Sequence, residues 1–175
     1  MLSEIGNLSV LISIFLSLYL IFVSIKEIKS SNNISFKIKN FSLLQLLFTN
    51  LSFFILLLGY LFSDFSLINV YENSHTTKPL LYKVSGVWGN HEGSLLLWIN
   101  VLVLFSYFFF TKNFGINKKF QLLTLVFQNL LILGFFIFLF TTSNPFDKIF
   151  PIPQEGLGLN PILQDPALAI HPPLL

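Results

Sequence analysis

Residues 120–140 read FQLLTLVFQNLLILGFFIFLF, an unbroken run without one charged side chain. At 1.5 Å per residue, a helix over this run crosses the roughly 30 Å of hydrocarbon in a bilayer. Its Phe, Leu and Ile side chains fall on every face, which suits lipid contact and not an amphipathic helix beside water. Three further runs of the same kind lie at about 8–25, 41–62 and 94–111. The pattern predicts an all-α integral membrane protein of four transmembrane helices. Two long outer-face segments, 63–93 and 142–175, complete a single membrane unit over residues 1–175.

Composition points the same way. Hydrophobic residues make up 54% of the 175-residue chain and charged ones 10%, against about a quarter charged in an ordinary soluble domain. That leaves too little polar surface to solvate a globule, which excludes a soluble enzyme, a nucleic-acid binder and a disordered tail. A net charge of +2 is too small to draw a polyanion, so no nucleic-acid partner is expected. Cysteine is absent, so the chain has no disulfide framework, CxxC redox pair, thiolate metal site or CxxCH motif. All ten basic residues are lysine. The abundance of Phe, Ile, Asn and Lys matches A/T-rich codons and favours a mitochondrial inner membrane, with a bacterial plasma membrane as the alternative.

No charge lies in the middle of any span, so no intramembrane proton relay or ion site is expected. The amides Gln45, Asn50, Asn100 and Gln128 are expected to face neighbouring helices, where their hydrogen bonds can be met. The first span has neither a basic leader nor a small-residue cleavage site and reads as a true span, not a signal peptide. Seven of the ten lysines cluster in the short first and third connections. Positive short loops stay on the cytoplasmic or matrix side. Both chain ends and both long segments are then expected on the opposite face, toward the intermembrane space or periplasm.

All three histidines fall in those long segments: His75, His91 and His171. Residues 87–98 read VWGNHEGSLLLW, bracketed by Trp88 and Trp98, the only two tryptophans. Tryptophan favours the membrane interface. Asn90 suits a helix cap, and Glu92 suits the positive end of that helix. A well-capped helix start accounts for these residues but leaves His91 unexplained. The pair His91–Glu92 is not the zinc-protease HExxH, because the second histidine is missing. Residues 160–175 read NPILQDPALAIHPPLL. Asp165 followed by Pro166 starts a short helix, and Pro172 and Pro173 end it. His171 is thereby held at the end of a short apolar surface helix. That placement fits an imidazole capping helix carbonyls, and it fits an axial metal ligand too. No motif surrounds His75, and it receives no role.

The stretches WGNHEGSLLLW (88–98), TSNPF (142–146) and NPILQDPALAIHPPLL (160–175), with EIGN (4–7) at the start, resemble the N-terminal part of the CcmF family. These are haem-handling membrane proteins, the haem lyase component of system I cytochrome c maturation. The resemblance implies an N-terminal fragment of a larger polytopic helical protein. It also implies haem as cofactor, shared with a partner chain, and thioether attachment of haem to apocytochrome c on the outer membrane face. His171 matches the first of two histidines that hold haem iron in the family. His91, Trp88 and Glu92 would shape or support the haem-facing surface. The second histidine and the tryptophan-rich segment lie later in the family, so no complete active site is expected on this chain alone. Implied partners are the rest of a CcmF on a separate chain, the haem chaperone CcmE, apocytochrome c and the lipid bilayer. The alternative reading is a catalytically silent structural subunit of a lyase or of a respiratory complex.

Overall fold

In the computed structural model, the described residues are 1–29, 36–112, 116–158, 160, 164–167 and 169. They form six helices: α1 Leu2–Ile28, α2 Phe36–Leu61, α3 Ile68–Asn73, α4 Leu80–Gly86, α5 His91–Thr111 and α6 Lys118–Thr142. The long four, α1, α2, α5 and α6, have mean hydropathy between 2.0 and 2.6 over their most apolar stretches and are long enough to cross a bilayer. The chain is an all-α membrane protein. Each long helix extends beyond or matches the hydrophobic run that announced it. The extra turns carry residues such as Glu4, Lys26, Lys37 and Lys39, which a helix tolerates once it leaves the hydrocarbon.

The bundle closes as a ring, α1 against α2 and α6, and α5 against the same two. Its interior mixes small polar residues with the apolar core. On α1 the buried positions include Ser3, Gly6, Ser9, Ser13, Ser17 and Ser24, while Phe15 and Phe22 point outward. Lipid is as apolar as leucine, so burying leucine gains little there. Small residues instead let backbones approach and multiply van der Waals contact. The hydroxyls of Ser9, Ser13 and Ser17 each donate to the carbonyl four residues back, so the stripe leaves none of these donors orphaned.

Gln45 of α2 is buried, and its Nε2 donates to Ser17 Oγ at 2.7 Å and Asn129 Oδ1 at 2.9 Å. That expectation of a helix contact holds. Asn50 differs: it is exposed and bonds only its own helix, at Leu46 O. Asn100 is buried as expected, but its Nδ2 goes to Leu96 O within α5, and its Oδ1 has no partner among the described residues. On α6 the amide that reaches another helix is Asn129 and not Gln128, one residue and about 100° away around the helix. An apolar run gives no phase by which to tell those two apart.

At one end of the bundle the two long segments build a folded cap. Segment 63–93 contributes α3 and α4. Ile68 N donates to Asp147 O at 2.9 Å and Ile149 N to Ser66 O at 3.0 Å, a single antiparallel bridge between the segments. Leu157 N and Gly158 N donate to Tyr71 O and Ser74 O. Gly156 lies so close beneath this loop that a Cβ would sit 2.1 Å from Ser74 O. The apolar core runs without a break from Ile99 and Leu139 in the bundle to Phe65, Leu67, Val70 and Phe146 in the cap.

Candidate functional site

The N-terminus of α5 organises the site. Asn90 has an extended backbone, and its Oδ1 accepts from Gly93 N at 2.7 Å, the cap that the sequence suggests. Its Nδ2 donates to Gly86 O at 2.7 Å and Tyr60 OH at 3.0 Å. Tyr60 is fully buried and donates its hydroxyl to Asn69 Oδ1 at 2.8 Å. Asn69 Nδ2 in turn reaches Asn90 Oδ1 at 2.8 Å and Glu92 Oε2 at 3.1 Å. Glu92 therefore does more than face a helix dipole: it ties α5 to α3. Nothing local marks Tyr60 or Asn69 in the sequence. The fold alone brings them here.

Trp88 is the link between distant motifs. Its Nε1 donates to Ala169 O at 2.8 Å, across 81 residues. The partner segment forms the turn expected of Asp165–Pro166: Asp165 Oδ1 accepts from Ala167 N at 2.8 Å, and its carbonyl accepts from Ala169 N at 2.9 Å. His171 lies outside the described residues, as does most of the short surface helix expected around it. His91 is exposed at the α5 start. Its Nε2 lies 3.1 Å from Ser143 Oγ, and its ring meets Phe138 edge-on at 6.2 Å.

The EIGN and TSNPF stretches interlock beside it. Ser3 Oγ donates to Phe146 O at 2.7 Å, and Asn144 Nδ2 donates to Asn7 Oδ1 at 2.8 Å. Glu4 pairs with Lys148. The Phe146 ring lies against Gly6, where any Cβ would be 2.3 Å from it. The four motifs, scattered over the whole chain, thus meet in one cap.

His75 lies between α3 and α4, with Nδ1 2.9 Å from Thr77 Oγ1 and 3.7 Å from Glu155 Oε1. Bonds from the Thr76 hydroxyl and amide hold the Glu155 carboxyl below its ordinary value. Among the described residues no three His, Cys, Asp or Glu side chains converge as a metal site. His91 engages Ser143 through Nε2 and His75 engages Thr77 through Nδ1.

Residues 88–175 match the family model described as cytochrome C assembly protein. The chain is 49% identical over 136 residues to the cytochrome c-type biogenesis protein CycK of Bradyrhizobium diazoefficiens, covering 77% of this chain and 20% of that protein. It is 37% identical to the cytochrome c-type biogenesis protein CcmF of Haemophilus influenzae, a match that covers 100% of this chain and 27% of that protein. Among solved structures, a cytochrome c heme lyase CcmF superposes with a TM-score of 0.73 at 22% identity, over 84% of this chain and 25% of that one. The chain spans about a fifth to a quarter of the length of the relatives that it matches. With its four bundle helices and the motifs gathered at one end, it resembles the N-terminal part of a CcmF, and it belongs to the cytochrome c assembly protein family.

Proposed function

We propose that this chain forms the N-terminal part of a cytochrome c haem lyase and helps present haem at the outer membrane face. The observation that carries the reading is the Trp88 bond to Ala169 O, which holds the segment leading to His171 against the α5 motif. His171 would supply an imidazole to the haem iron, while His91 and Glu92 hold the α5 start through Ser143 and Asn69. Haem is the substrate: its vinyl groups receive the cysteine thiols of apocytochrome c. The second iron ligand comes from another chain, and CcmE and apocytochrome c are the further partners. The cap faces the outside because the lysines gather at the opposite end of the bundle. The relatives named above are bacterial, which supports a bacterial plasma membrane; only composition supports a mitochondrial one.

The test is haem content and cytochrome c maturation in the purified assembly. His171→Ala should lower both, and added imidazole should partly restore them by filling the open coordination position. Trp88→Phe keeps an aromatic side chain but removes the indole N–H bond, which is about 1 kcal/mol or about fivefold in haem affinity. It should weaken haem binding without abolishing it. If the assembly holds no haem and His171→Ala leaves maturation intact, the ligand role is wrong and a structural subunit is the better reading.

A further inference from the structure

A cleft of about 460 Å³ opens on the cap beside the loop at 75–79, lined by His75, Thr77, Lys78, Leu157, Gly158 and Gln164. Its cation is the unusual feature. The Lys78 ammonium is half-buried, and its one bond is to Asn73 O at 2.7 Å. Among the described residues no carboxylate lies within 4.0 Å of it. Burial, with the like charge of Lys83 second, lowers Lys78 to about 8. It is therefore still mostly protonated at neutral pH, and an anion would offset the cost of desolvating it. Glu155 is not that anion. Its oxygens are taken by Thr76, and it does not line the cleft. An ammonium with donors to spare, facing an open cleft, is suited to oxyanions.

We propose that this cleft binds a carboxylate or phosphate oxyanion through Lys78. Resting on the haem reading above, the favoured occupant is a propionate carboxylate of haem. Gln164 adjoins the Asp165 turn that Trp88 holds, which ties one wall of the cleft to the α5 motif. A lipid phosphate offers the same chemistry from a different source.

The test uses the full chain in detergent and iron-free protoporphyrin IX, which keeps both carboxylates. Fluorescence titration of Lys78→Gln should show at least about fivefold weaker binding than wild type, the loss expected from one charge-assisted bond. Lys78→Arg should recover most of it, and Lys119→Gln, at the other end of the bundle, should match wild type. The dimethyl ester of the porphyrin should bind all four proteins alike. If instead Lys78→Gln lowers retention of phosphatidylglycerol against phosphatidylcholine and leaves the porphyrin unaffected, the oxyanion site stands and its occupant is lipid. If Lys78→Gln changes neither, the site is overturned. Iron takes no part, so the result is independent of whether His171 is a ligand.

Discussion

Alanine in place of Gly93 should strongly destabilise the cap. A Cβ there would lie 1.6 Å from Val87 O and 3.1 Å from Asn90 Oδ1. Both belong to the turn that starts α5, and the first is backbone that cannot rotate away. Overpacking of this kind costs about 1–3 kcal/mol. Forcing Asn90 off Gly93 N forfeits a helix cap as well, typically about 1 kcal/mol. The change should appear as a thermal midpoint several degrees lower in detergent, with helix content lost first at the α5 start. Gly134→Ala is the control: nothing lies within 4 Å of its Cβ position. Alanine is the better helix former by about 1 kcal/mol, so that variant should be neutral or slightly more stable. A Gly93→Ala protein as stable as wild type would contradict the close approach.

Phe146→Ala should cost about 3–5 kcal/mol, the usual range for emptying a buried aromatic position. The ring is fully buried, touches Gly6 of α1 and ends the core shared by bundle and cap. A double-mutant cycle isolates the contact. Gly6→Ala should be strongly destabilising in the wild type, where its Cβ meets the ring at 2.3 Å. It should cost far less once Phe146 is alanine, because the space has been vacated. Contacting residues show such non-additivity and distant ones do not. Strict additivity would mean that the ring does not rest on Gly6.

Several features were legible residue by residue. The α5 cap at Asn90 and the turn at Asp165 follow from side-chain chemistry within four residues, and both form as expected. The long-range features were not legible. Glu92 looked like a partner for a helix dipole, yet it bonds Asn69 of α3. Among the amides of the spans, Gln45 was read correctly, while Asn50 turned outward and Asn129 took the place of Gln128. In a helix that is apolar all round, no amphipathic phase says which side faces a neighbour. His75 had no motif, and only the approach of Leu157, Gly158 and Gln164 gives it a cleft.

By itself the sequence determined four membrane-spanning helices and the local punctuation of their ends. Those depend on hydrophobic length and on caps, which act within a turn or two of the chain. It also carried the family resemblance, because the motifs are contiguous strings. Only the tertiary structure decided that EIGN, WGNHEG, TSNPF and QDPALA meet at one end of the bundle, through Asn7–Asn144, His91–Ser143 and Trp88–Ala169. Those contacts join residues between 52 and 137 positions apart. Their energy depends on how four helices pack through small residues, and no local pattern encodes that packing.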